Sequence, residues 1–339
     1  MKLKMYFIKY ANLFPFKVSF LMRFYHRKII FPFYHSVSND PQDFIRHLYK
    51  VKTEEEFKKD IEFLLKYFKP ISAKKFMNWV EKKENVSEPS FILSFDDGLK
   101  SILQVSQFLK ENNIQPICFL NTDFINSKKI FYRYKVSILI DRIRSTNWLN
   151  EQTNIISKII KEGGSKKNLI NWLLNANYSQ INTIDKLSDI LEVSFKNILK
   201  EESPYLDENQ INKLINDGFY FGAHSCSHPN YSLLSKEEQL IETFNSIKDV
   251  QTKFSLNYKF FSFPFNDLFV FNEVFNKLKT ENVISFGTSG LKDDDLENNF
   301  QRIPMEYNEK YSAEQIIKGE LVYYFFKKII GKHKMQRNE

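Results

Sequence analysis

The chain has 339 residues, enough for one large domain or two ordinary ones, and its 42% hydrophobic content, with 34 phenylalanines, can fill a sizeable core. Charged residues at 27% exclude wholesale disorder, and the net charge of +8 comes from lysines mixed with acids rather than from basic runs interleaved with aromatics, so no nucleic-acid groove is indicated. Two cysteines, Cys118 and Cys226, exclude a disulfide framework and point to a reducing compartment: the cytoplasm, or the periphery of the inner membrane's cytoplasmic face.

Residues 1–29 form a basic, aromatic segment. Lys9, Lys17 and Arg23 interrupt it too often for a membrane span, and it lacks the apolar stretch and small-residue cleavage site of a signal peptide. Two readings stay open: an amphipathic helix lying on an anionic membrane surface, or a helix packed on the following domain. Ile30–Val37 reads as a buried strand. Thr53 with Glu56 forms a capping box, and Phe57, Ile61, Leu64, Leu65 and Phe68 stripe the helix it opens. Phe91–Phe95 is a second strand, Ile102 to Leu109 a helix, and Ile117–Asn121 a third strand. Residues 128–204 turn polar, rich in Asn and Lys, with helical periods only, and read as a helical insertion. Asp207 caps a helix to Asn216, and Phe219–Ala223 is a strand. Ser235 with Glu238 caps a helix through Val250. Tyr258–Phe265 and Val283–Gly287 are later strands, and residues 311–339 form a C-terminal helix and basic tail. Strands alternating with helices predict an α/β domain over residues 30–310, built on a parallel sheet whose chemistry sits at the carboxyl ends of its strands.

Polar clusters stand at those ends. Ser94-Phe95-Asp96-Asp97-Gly98 follows the second strand. Its sequence also suits a plain turn, but two adjacent carboxylates can divide labour, one holding a metal and the other taking a proton. His224-Ser225-Cys226-Ser227-His228 follows another strand, with its histidines at the i, i+4 spacing that shares one side of a helical turn. Two imidazoles and a carboxylate suit zinc, or cobalt, nickel or manganese, and leave positions open for water and a carbonyl. That is a hydrolase design for an amide or ester. Cys226 reads as a packed thiol.

The motifs SFDDG and HSCSH resemble those of the polysaccharide deacetylase family, the carbohydrate esterases with a NodB homology domain, over roughly residues 30–125 and 205–305. The resemblance implies a distorted (β/α) barrel with fewer than eight repeats. It implies that Asp97, His224 and His228 hold the metal and that Asp96 is the base acting on metal-bound water. The substrate class it implies is an N-acetylated amino sugar in a polysaccharide or a lipid-linked glycan precursor. The family's third motif, R-x-P-[YF], falls on Ser262-Phe263-Pro264-Phe265, so Ser262 stands where the family has the arginine that orients the catalytic aspartate. Pro264 and Phe265 remain, the latter with a backbone N–H for the oxyanion. The family's late histidine, the general acid, is also missing: no histidine lies between His228 and His333. Arg302, in the corresponding late segment, is expected to stabilise an anionic intermediate at the substrate. Two explanations stay open for the missing acid: His35, at the end of the first strand, serves in its place, or the product leaves with help from water or Asp96 itself. The missing arginine and histidine keep a catalytically impaired glycan-binding protein open, and the basic charge keeps a membrane-surface protein open.

Overall fold

The structure is a computed structural model and describes residues 2–146, 150–161 and 165–337. Its strands are β1 (Ile29–Ile30), β2 (Pro32–Tyr34), β3 (Lys69–Pro70), β4 (Ser90–Phe91), β5 (Ser94–Phe95), β6 (Ile117–Leu120), β7 (Tyr220–Ala223), β8 (Phe260–Ser262), β9 (Ile284–Gly287), β10 (Asn299–Gln301) and β11 (Ile303–Pro304). All pairs are parallel. A small sheet runs β1-β4-β3, and a large one runs β10-β9-β8-β7-β6-β5-β2-β11. The two ends of the large sheet are the same stretch of chain. Asn299, Phe300 and Gln301 pair with β9, whereas Ile303 and Pro304 pair with Pro32 and Phe33 of β2. Residues 299–304 therefore bridge the first and last strands and nearly close a barrel, with Arg302 at the seam. The strand extents are shorter than expected from sequence, and Lys69–Pro70 is a strand that the apolar pattern did not indicate.

Helices cover the outside of the barrel: α1 (Lys2–Lys9), α2 (Val18–Met22), α3 (Glu54–Tyr67), α4 (Ala73–Val80), α5 (Leu103–Glu111), then α6 to α10 within residues 132–202, and α11 (Glu208–Asn216), α12 (Lys236–Lys253), α13 (Asn272–Thr280) and α14 (Ala313–Ile329). Reciprocal capping boxes start α3 at Thr53, α11 at Asp207, α12 at Ser235 and α14 at Ser312. Each satisfies two backbone donors that a helix start leaves open, worth about 1 kcal/mol.

The two-residue period of the strands sorts side chains into two cores. Phe31, Ile92, Ile117, Phe119, Phe260, Phe286 and Phe300 pack together inside the barrel. Ile30, Tyr34, Leu93, Phe95, Cys118, Leu120, Phe221, Ala223, Phe261 and Phe263, out of phase with them, pack against the helices. Continuing the inward phase toward the carboxyl ends gives Phe33 and His35 from β2, Ser94 and Asp96 from β5, Asn121 from β6, His224 from β7 and Ser262 from β8. The inward rows thus turn from apolar to chemical as each strand ends. Gly222 is required in this interior: a Cβ there would come within 2.7 Å of the Phe260 Cβ and carbonyl oxygen and 2.9 Å of the Phe119 ring.

Helices α6 (Tyr132–Ser145), α7 (Asn150–Ile160), α8 (Lys166–Asn175), α9 (Ile181–Ile190) and α10 (Phe195–Glu202) surround a separate apolar core that includes Leu139, Ile156, Leu173 and Leu187. Tyr134 and Tyr205 join that core at the barrel mouth. At the other end of the chain, α1 and α2 lie on α14: Ile8, Val18, Leu21 and Met22 are buried with Leu321 and Tyr324, and Gly319 lets α14 approach the Ile8 backbone. One face of the N-terminal segment is therefore packed on the domain.

Candidate active site

Asp96, Asp97, His35, His224, His228 and Phe265 line one cavity of about 340 Å³ at the carboxyl ends of the strands. Tyr49, Phe131, Arg133, Tyr134 and Thr288 complete much of its wall. The Asp-Asp-Gly sequence does make a turn. Asp97 has φ +67° and Gly98 φ +62°, and this turn swings Asp97 back over the barrel mouth beside the inward-facing Asp96. A left-handed aspartate costs on the order of 1 kcal/mol, held here by the surrounding packing.

The two histidines do not lie on a helical turn, as their spacing predicts. Residues 224–228 form a loop in which Ser225 (φ +65°) and His228 (φ +57°) are left-handed, and the loop brings the rings to 4.8 Å centroid separation. Its shape is imposed from outside. Glu242 of α12 accepts the backbone N–H groups of Cys226 (2.8 Å) and Ser227 (3.0 Å) and the Ser227 hydroxyl (2.8 Å). Ser225 Oγ accepts the His228 N–H at 3.0 Å, and the Asn121 side chain donates to the His224 carbonyl. Cys226 packs as a thiol, pushed up to about 12 by burial.

Three buried atoms converge. Asp97 Oδ1 lies 3.3 Å from His228 Nε2 and 3.6 Å from His224 Nε2, and one ligand atom from each residue falls within 4.8 Å of the others. The His224 Nδ1 is 2.7 Å from the Ser262 carbonyl, which can only accept, so Nδ1 carries the proton and Nε2 presents its lone pair to the site. Burial holds the His224 imidazole down to about 4, so it stays neutral near pH 7. On Asp97, Oδ2 accepts the Tyr134 hydroxyl at 2.6 Å, while Oδ1 has no hydrogen-bond partner. An unpartnered buried carboxylate oxygen is costly. Burial alone would raise the Asp97 pKa, but His228, His35 and His224 outweigh it and hold the group far below the usual carboxylate range. An ionised oxygen beside the His224 lone pair and the His228 Nε2 fits a divalent cation.

Asp96 sits beside this group, its Oδ2 3.8 Å from His224 Nε2. Arg302 clasps it with both arms: one terminal nitrogen is 2.7 Å from Oδ1 and the other 2.6 Å from Oδ2. The same guanidinium donates to Ser94 Oγ (3.0 Å) and Ser262 Oγ (2.5 Å) and stacks over the Phe33 ring at 4.3 Å. Burial would raise Asp96; the charge and hydrogen bonds of Arg302, with the nearby His35, outweigh it and keep the group below the usual carboxylate range.

Two expectations about Arg302 are thereby corrected. Asp96 does not lack an arginine: the closing strand supplies one, and Ser262, standing at the expected arginine's place, hydrogen-bonds to it. Nor does Arg302 face a substrate, because it is fully buried and its donors are committed to Asp96, Ser94, Ser262 and the Gly287 carbonyl. Pro264 is likewise buried and off the cavity wall. Phe265 has φ +58°, is partly exposed, and lies 4.9 Å from the His228 ring.

His35 is held on the opposite rim. Glu306 Oε2 accepts both its backbone N–H and its Nδ1 at 2.7 Å, Glu306 Oε1 accepts the Ser36 N–H at 3.2 Å, and Tyr49 stacks on the ring at 4.9 Å. Burial lowers the imidazole pKa, but the Glu306 hydrogen bond and charge, with Asp97 and Asp96, push it up to about 9. Glu306, Tyr134 and Glu242 were not singled out from sequence. Their roles exist only once distant elements meet, and no local pattern marks them.

The barrel and the site define a class, and comparison with known proteins agrees. The polysaccharide deacetylase profile matches residues 83–279, more than half of the chain, and the chain belongs to that family, as a hydrolase of carbon–nitrogen bonds other than peptide bonds. No curated protein matches it. Among solved structures it is similar to the Streptococcus pyogenes deacetylase PplD in complex with acetate, at 12% identity and TM-score 0.53, covering 86% of this chain and 97% of that one. It is also similar to IcaB from Ammonifex degensii, at 11% identity and TM-score 0.52 over 86% of this chain and 97% of that one. A de-N-acetylase from Aggregatibacter actinomycetemcomitans aligns at 10% identity and TM-score 0.50, covering 81% and 93%. At such identities the likeness establishes the barrel fold. The matched stretch contains both motifs and ends before the strand that carries Arg302.

Proposed function

We propose that the chain removes N-acetyl groups from an amino-sugar-containing polysaccharide or a lipid-linked glycan precursor, using a divalent cation, zinc by preference, held by Asp97, His224 and His228. The observation that carries this reading is the unpartnered Asp97 Oδ1, buried between two Nε2 atoms and adjacent to a carboxylate clasped by arginine. A cation held there would polarise the acetyl carbonyl and acidify a water molecule. Asp96 takes the proton of the attacking water; its low basicity suits a proton that is already acidic. Arg302 fixes the direction of the Asp96 lone pairs and keeps the group ionised. As water adds to the acetyl carbon, the backbone N–H of Phe265 donates to the developing oxyanion. The C–N bond then breaks, and His35, with Nδ1 engaged by Glu306, delivers the proton from Nε2 to the departing sugar nitrogen. The products are acetate and a free amino sugar. Polar and aromatic cavity walls, including Tyr49, Phe131 and Arg133, suit a sugar ring.

The test is acetate release from a panel of N-acetylated sugars with added zinc or cobalt. Stoichiometric metal that disappears in Asp97→Ala, with turnover that collapses in Asp96→Asn, is the expected result. Purified protein that binds no metal, or Asp96→Asn that retains full turnover, would overturn it.

A further inference from the structure

One face of the molecule is apolar, basic and uncovered. It is formed by α1, α2, the chain between them and the second half of α14. The residues these elements turn outward are large and apolar: Leu13 is 79% exposed and Ile329 82%, with Phe16, Phe20, Phe24 and Phe326 also well exposed. Ring contacts link the phenylalanines among them into two runs. Phe16 meets Phe20 at 5.6 Å, Phe20 meets Phe24 at 5.1 Å, and Phe24 meets Phe325 of α14 at 5.3 Å, next to Phe326, which meets Phe7 at 5.6 Å. Scattered exposed apolar residues are ordinary on a soluble surface, whereas a connected set marks an interaction site.

Charge is a second, independent observation on the same face. No Asp or Glu precedes Asp40, and none lies between Glu320 and Glu339, so both contributing segments carry only basic charge. Lys17, Arg23 and Lys328 are exposed and have no carboxylate partner among the described residues. Aromatic and aliphatic side chains ringed by unpaired cations suit the boundary between anionic headgroups and acyl chains. No helix among the described residues is long and apolar enough to cross a membrane, so the face would lie on a bilayer rather than enter it. A second copy fits less well, because a two-fold contact would set the two basic faces against each other.

We propose that this face docks the protein on an anionic lipid surface, independently of the reading of the cavity. The test uses full-length protein and vesicles of phosphatidylcholine alone or mixed with phosphatidylglycerol, read by cosedimentation. Binding to the mixed vesicles that weakens with salt is expected, with little binding to the neutral ones. A triple variant, Lys17→Gln, Arg23→Gln and Lys328→Gln, should lower affinity on the order of a hundredfold, about fivefold per charge. Phe16→Ser with Phe20→Ser should lower it further at low salt, with the thermal melt unchanged. If the phenylalanine variant does not fold, the exposed charge variant carries the test alone. Equal binding to both vesicle types, binding indifferent to the charge variant, or a dimer in solution that the phenylalanine substitutions dissolve would each overturn the proposal.

Discussion

Breaking the Asp96–Arg302 pair tests whether the closing strand serves the base. Both groups lie in the barrel interior, at most 2% exposed, and are joined at 2.6 and 2.7 Å. Removing one partner of such a pair leaves the other charge without compensation in a poorly polarisable interior, at about 3–5 kcal/mol. Arg302→Met should therefore destabilise by that amount, and Asp96→Leu by a similar one, because the guanidinium then keeps only hydroxyl and carbonyl partners. The double variant should cost less than either single one, since apolar groups of similar volume replace a buried pair at little net expense. The coupling from a double-mutant cycle should reach about 3 kcal/mol. Urea unfolding followed by circular dichroism, with chelator present so that metal does not bias the folded state, gives the three differences. Costs that simply add, within ~0.5 kcal/mol, would refute the coupling. A companion measurement separates positioning from stability. Arg302→Lys keeps the charge but loses the two-armed grip, so kcat should fall by more than tenfold while KM is nearly unchanged.

Two further outcomes follow from the cavity. Tyr134→Phe removes the 2.6 Å hydrogen bond to Asp97 Oδ2 and should weaken metal affinity about 10–100-fold in competition with a chromogenic chelator, with the melting temperature barely moved. His35 has its pKa raised from 6.5 to about 9 in the folded protein, so its pairing with Glu306 stabilises fully below pH 6.5 and is lost as pH rises through 9. Activity should fall over the same alkaline limb, and His35→Gln should abolish that limb in the kcat/KM profile while flattening the stability difference across the window. An unchanged alkaline limb in the variant would remove His35 as the acid.

The barrel was legible because its strands are short apolar runs between helices with strong start signals, and because Asp96 and His224 directly follow such runs. Strand limits were not, since FILSF divides its pairing between the small sheet at Ser90–Phe91 and the barrel at Ser94–Phe95. The closing strand was harder. Asn299 and Gln301 alternate with Phe300 and Arg302, so both phases carry polar groups, and each is satisfied only in three dimensions: Asn299 and Gln301 bind Asp267 and Asp294, which Arg337 also grips. Without that buried network the segment reads as a polar loop. The i, i+4 histidines do come together, but not through helical spacing: a loop with two left-handed residues reproduces the proximity that a helical turn would give. The arginine partner of Asp96 stands not at Ser262, two residues before Pro264, but 40 positions further along at Arg302, a displacement that no local pattern encodes.

The seam at residues 299–304 has a temporal meaning as well as a spatial one. A chain emerging from a ribosome presents Asp96 206 residues before Arg302, so over that stretch of synthesis the aspartate lacks the guanidinium that holds it ionised in an apolar interior. The barrel cannot be shut around it until the strand that shuts it also delivers the guanidinium. On the proposed role of Asp96 as base, competence to hydrolyse and completion of the scaffold are a single event, and a chain cut short before the last strand would lack both.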